Sequence, residues 1–171
     1  MEYPIVRRFS LILLSTGLLA SLVAAPVAAR ESRPTIVDTA IAVNASSGEF
    51  DHLIAAVFRA GLVDTLDGRR QFTVFAPTDA AFESLFAALG VSGVDEIPLD
   101  TLRAVLLYHV APGERFSGDV LDSSRIRTLS KGFVHPSIRA GAPYVNDARI
   151  VAADIDVSNG VIHVIDAVLL P

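Results

Sequence analysis

The stretch TVFAPTDAAF, Thr73 to Phe82, limits what this chain can fold into more than any other. Phe72-Thr73-Val74-Phe75 is a β-branched and aromatic run with the composition of a buried strand. Pro77 has no N–H to give to a ladder and stops it. Thr78 is a good helix N-cap, and Asp79 is placed to complement the positive end of the dipole. Phe82, Leu85, Phe86 and Leu89 then recur at helical spacing. Strand, sharp turn and capped helix follow in one short segment. It holds no nucleophile, metal-ligand set or phosphate loop.

Helices are expected before and after this segment. Ile36, Val37, Ala40 and Ile41 keep a helical rhythm from Thr35 to Val43, and Asn44 to Gly48 reads as a polar break. Ser46 to Glu49 has capping-box spacing, and Phe50, Leu53, Ile54, Val57, Phe58 and Leu62 make an amphipathic helix ending near Gly61. Asp100 is placed to cap a further helix carrying Leu102, Val105 and Leu106, which runs into Tyr108-His109-Val110. From Arg115 the pattern changes to short apolar pieces separated by turn formers: 120–121, 126–129, 133–134, 138–140 and 144–145. Asn159-Gly160 between two long apolar runs is the strongest local hairpin signal in the chain. Helices around an early strand followed by many strands give an α+β domain with a β-sandwich core.

Met1 to Ala29 has the layout of a secretory signal peptide: Arg7-Arg8, an apolar stretch from Phe9 to Val23, and small residues before Ala29. Residues 30–34 read as a flexible tether and 35–171 as one domain. An uncleaved leader is the alternative, and it is the one route to a membrane. Lipid anchoring through a cysteine is excluded, since the chain has none. Removing Glu2, Arg7 and Arg8 leaves 12 basic and 18 acidic residues, a net charge of −6. That balance disfavours nucleic acid, whose phosphates need a basic footprint. A secreted or periplasmic monomer is expected.

The histidines, at 52, 109, 135 and 163, show no ligand spacing for zinc. Asp154 to Ile165 superficially resembles a calcium loop, but its glycine falls one position late and position twelve is isoleucine. There is no Gly-x-Ser-x-Gly elbow and no nucleotide-binding glycine loop. No enzyme, cofactor or metal site is expected.

Three stretches in order resemble the fasciclin-like adhesion domain family: TVFAPTDAAF, LLYHVAPGE from Leu106 to Glu114, and NGVIHVIDAVLLP from Asn159 to Pro171. The resemblance implies a fasciclin-like wedge, an antiparallel β-sandwich of about seven strands with helices packed on one side. It implies pairing of the first and last strands. It also implies an exported, non-enzymatic protein acting in cell adhesion through a protein or matrix partner. Tyr108, His109 and Asp100 become the candidate partner-binding residues. Asp100-Thr101 stands where some members carry an Asp-Ile pair linked to integrin binding, and the missing isoleucine speaks against animal-type receptor binding. For Tyr108 and His109 the other reading is burial with satisfied polar tips, which their place between helix and strand favours. The alternative function is an extracytoplasmic carrier of an apolar ligand, a carotenoid or lipid, as in some members of the wider family.

Overall fold

The computed structural model describes residues 33–171, so the expected leader and most of the tether lie outside the described residues. The two tether positions inside it are held. Arg33 pairs with Asp156, and the Pro34 carbonyl accepts from the Ser158 amide at 3.0 Å.

Six helices and eight strands follow. Helices α1 (Ile36–Ser47), α2 (Asp51–Ala60) and α3 (Val63–Leu66) precede strand β1 (Phe72–Pro77). Then come α4 (Asp79–Leu89), a 3-10 turn at Val94–Glu96, α5 (Leu99–Tyr108), β2 (Val110–Pro112) and α6 (Ser117–Asp122). Strands β3 (Ile126–Arg127), β4 (Phe133–Val134), β5 (Pro136–Arg139), β6 (Ala142–Val145), β7 (Ala148–Val157) and β8 (Gly160–Ile165) complete the chain.

The caps differ from the expected ones. α1 does not break at Asn44. The Ser46 and Ser47 hydroxyls donate back to the Val43 carbonyl at 2.8 and 2.9 Å, and the helix ends at Gly48, whose φ of 68° suits the left-handed region. The capping box sits at the other end of α1, between Thr35 and Asp38. At the start of α2 the expected Ser46–Glu49 box is replaced by a carboxylate from elsewhere in the chain. Asp79 accepts from the Asp51 amide at 3.1 Å and the His52 amide at 2.9 Å. Thr78 caps its own helix, accepting from Ala81 N at 3.4 Å. Asp100 lies in the first turn of α5, whose N-cap is Pro98 without a side-chain cap, so Asp100 does not cap. Val120-Leu121, expected as strand, falls inside α6.

The expected antiparallel sandwich is corrected in topology. β1 and β8 do pair, but in parallel, and the main sheet is a curled mixed sheet of 6 strands in the order β2-β1-β8-β7-β6-β5. β3 and β4 form a separate antiparallel ribbon. Every residue of β1 and β8 is buried, because each face of these central strands lines its own core. Val74, Ala76, Ile162 and Val164 meet the helices, packing with Phe50, Leu53 and Phe82. Phe75 and Ile165 face the other way, against Tyr108, Val120, Ile126, Val134 and Val145. Two cores on one strand pair is the physical content of the wedge.

The two-residue turn of the β7–β8 hairpin is Ser158-Asn159, one position before the expected Asn159-Gly160, since Gly160 already pairs with Val157, and Asn159 also locks the hairpin to the helices. Asn159 is buried; its Oδ1 accepts from Ile36 N at 2.9 Å, and its Nδ2 donates to Leu66 O at 2.6 Å and Gly68 O at 3.1 Å. A Cβ at Gly160 would lie 1.9 Å from the Phe72 carbonyl oxygen, so only glycine lets β1 approach.

Candidate functional site

The end of α5 delivers Tyr108 and His109 into the space between the helices and the second core. The His109 amide closes the helix on Leu106 O at 3.1 Å, and the chain turns directly into β2. His109 is buried at 2% exposure. Its Nδ1 lies 2.8 Å from the Val105 carbonyl and must donate, since a carbonyl only accepts. Nε2 is then the free acceptor, and it takes the Leu169 amide at 2.9 Å. The neutral ring therefore ties α5 to the closing segment. Burial pushes its pKa from 6.5 down to about 4, against the opposing pull of the Val105 bond.

Tyr108, at 6% exposure, is a support for the β3–β4 ribbon. Its hydroxyl donates to the Phe133 carbonyl at 2.7 Å and accepts from Asn146 Nδ2 at 3.3 Å. Its ring packs against the turn of the ribbon, where a Cβ at Gly132 would come within 2.7 Å of Cε2. Asn146 extends the link: its Oδ1 accepts from His135 N, and its amide donates to His135 O, both at 2.8 Å. Asp100 does not join this group. It is exposed at the opposite end of α5, about 12 Å away along the axis for eight residues of helix.

A second polar cluster, not singled out in the sequence, lies at the start of α6. Ser117 donates from both N and Oγ to the Asp154 carboxylate, each at 2.6 Å. Fully buried His163 accepts from Asp154 N at Nδ1, 3.3 Å, and donates from Nε2 to Arg115 O at 2.9 Å. Burial lowers the His163 pKa, opposed by the Arg115 bond and the Asp154 charge. Burial would raise the Asp154 pKa, but the Ser117 bonds and His163 outweigh it and hold the carboxyl below its ordinary value. Ser, Asp and His are neighbours here, yet both ring nitrogens of His163 are engaged by backbone. The ring cannot serve Ser117 as a base, so this is not a nucleophile triad.

An apolar crevice of about 40 Å³ opens among α1, α2, α3, β1 and α5, lined by Val37, Ile54, Phe58, Leu62 and Leu107 among others. Ligand pockets generally need roughly 300 Å³ or more. Among the described residues no group of three or more His, Cys, Asp or Glu could hold a metal ion, and no helix is long and apolar enough to cross a membrane.

Residues 48–171 match the fasciclin domain. The chain belongs to the fasciclin domain family. Protein sll1483 of Synechocystis sp. is 41% identical over 148 residues, covering 84% of this chain and 77% of that protein. The transforming growth factor-beta-induced protein ig-h3 of Sus scrofa is 34% identical over 78% of this chain, which spans 19% of its length. Immunogenic protein MPB70 of Mycobacterium bovis is 34% identical over 66% of this chain and 56% of its own. Among solved structures, a FAS1 domain pair from the insect cell adhesion molecule fasciclin I superposes with a TM-score of 0.66 at 19% identity, covering 81% of this chain and 51% of that one. That likeness shows the α+β fold. α1 lies before the matched segment, yet it supplies Ile36 to the core and closes on Asn159.

Proposed function

We propose that this protein is exported and acts without catalysis as an adhesion or surface-interaction protein, through a protein or matrix partner outside the cytoplasm. The observation that carries the reading is the fasciclin domain across residues 48–171; the Ser117-Asp154-His163 neighbourhood among the described residues has no free base. The same fold occurs in the insect cell adhesion molecule fasciclin I, which supports the reading. Residues 1–29 are its leader, cleaved before Arg30, and N-terminal sequencing of exported protein tests that. Of the three candidate contact residues, Asp100 presents its side chain to solvent. Tyr108 and His109 act by holding surfaces in place. Cell attachment to the immobilised mature protein, and attachment by a deletion strain, test the reading; no attachment in either assay overturns it.

The carrier of an apolar ligand would use the crevice beside Phe58. Its volume of about 40 Å³ leaves that reading second. A pigment or lipid in an organic extract of the native protein would reverse the order.

A further inference from the structure

The β3–β4 ribbon carries side chains that the fold does not use. Residues 123–149 contain five basic residues, Arg125, Arg127, Lys131, Arg139 and Arg149, against one acid, Asp147, in a chain of net charge −5. Arg139 is engaged with Asp147 at 3.1 Å. The exposed side chains of Arg125, Arg127 and Lys131 have no hydrogen-bond or ion-pair partner among the described residues. Arg127 faces Phe133 across the ribbon, and the Arg125 guanidinium carbon lies 4.6 Å over the ring of Phe133, which is 40% exposed. Arg125 and Arg127 alternate with buried Ile126, so they share the outer face, about 7 Å apart in extended chain. A guanidinium held over a ring and without a hydrogen-bond partner keeps its N–H donors for a carboxylate or sulfate.

The ribbon is rigidly seated. Ile126 and Val134 are buried beneath it. Thr128 and Gly132 close its turn at 2.9 Å, and Tyr108 holds Phe133 from below at 2.7 Å. A preorganised charged face loses little freedom on binding. Its strands are two residues long, too short to template an added peptide strand, so recognition falls to side chains. A polymer with an anion on every repeat suits such a face, since many weak contacts add through one chain. The exposed phenyl ring beside the arginines gives an apolar surface for the body of a sugar.

We propose that the outer face of the β3–β4 ribbon, through Arg125, Arg127, Lys131 and Phe133, binds an acidic polysaccharide by its carboxylate or sulfate groups. The inference rests on the surface-interaction reading above and names its partner class. Because the whole protein is acidic, its net charge repels polyanions and retention reports on the local face.

The purified exported protein is passed over immobilised polygalacturonate, dextran sulfate, neutral dextran and poly-glutamate. Retention on polygalacturonate identifies carboxylate recognition and retention on dextran sulfate identifies sulfate recognition; either is released by salt, and neutral dextran retains nothing. Arg125→Ala with Arg127→Ala weakens retention about tenfold or more without moving the thermal midpoint. Lys131→Glu, at the turn, weakens it as well. Arg69→Ala with Arg70→Ala removes the same charge from another exposed loop and leaves retention unchanged. The proposal is overturned by no retention of the wild type, by equal weakening in the Arg69/Arg70 variant, or by poly-glutamate held as tightly as the polysaccharides, which would indicate an acidic polypeptide partner. A protein that supports cell attachment yet ignores both polyanions removes this inference and leaves the surface role standing.

Discussion

His109, a candidate contact whose place between helix and strand favours burial, is a tie in the structure. Both ring nitrogens are bonded to backbone, and burial holds the pKa near 4. In the unfolded chain the ring titrates near its ordinary 6.5. Between those values the unfolded state binds a proton that the folded state refuses, so acid favours unfolding. The contribution is fully present above pH 6.5 and is lost as pH falls towards 4, amounting to about 3 kcal/mol. Urea unfolding from pH 7 to 4.5 is expected to show falling stability, with a shallower slope in His109→Gln; His163 and Asp154, whose shifts also make acid destabilising, contribute to the part that persists. An unchanged slope in the variant would sink the tie. Asn159 makes a sharper case. Its Asn-Gly signature announces a hairpin, yet its side chain makes three bonds, to the α1 start, the end of α3 and the loop after it. Asn159→Ala leaves those groups unpaired and is expected to cost about 3 kcal/mol, read by denaturant midpoint. A cost below about 0.5 kcal/mol, the scale of an ordinary surface substitution, would mean the clamp is idle.

At the scale of elements, what sequence reveals depends on what periodicity can carry. α2 and α4 were legible because Leu53, Val57, Phe82, Leu85 and Phe86 recur at helical spacing, and all five are buried. α6 was not, because six residues are too few for a period and Val120-Leu121 looks like any short apolar pair. The parallel pairing of β1 with β8 joins residues far apart in the chain, for example Val74 with Ile162, and no local pattern specifies direction. The cap of α2 was hidden for the same reason. Asp79 reads as a first-turn acid of its own helix, but its oxygens reach Asp51 N and His52 N at shorter distance than Thr78 reaches Ala81 N. Asp79→Ala is therefore expected to cost about 1–2 kcal/mol and more than Thr78→Ala, which loses the longer bond. The reverse order in thermal unfolding would contradict the cross-element cap. Tyr108→Phe removes the bond to Phe133 O and is expected to cost about 1–2 kcal/mol. Amide exchange should quicken in β3 and β4 before the rest of the sheet; uniform quickening would show that the ribbon is not held from Tyr108.

At the scale of the molecule, two cores share one pair of central strands, and the side chains that carry the family signature lie between them. The three sequence boxes become β1 with the start of α4, the α5–β2 corner, and β8 with its closing segment. His109 bonds the second box to the third, and β1 pairs with β8. The surface role was legible only through that constellation. The exposed arginines of the ribbon were not, because Arg125, Arg127 and Lys131 look scattered until Arg127 is paired with Phe133. Under the proposed surface-interaction role, Tyr108 and His109 support surfaces and do not touch the partner. The most direct test of that role is cell attachment to immobilised wild-type and His109→Gln protein, each scaled to its folded fraction by circular dichroism. Attachment by the wild type is expected, with the same attachment per folded molecule in the variant. No attachment by folded wild type, or its loss in a fully folded variant, would contradict it.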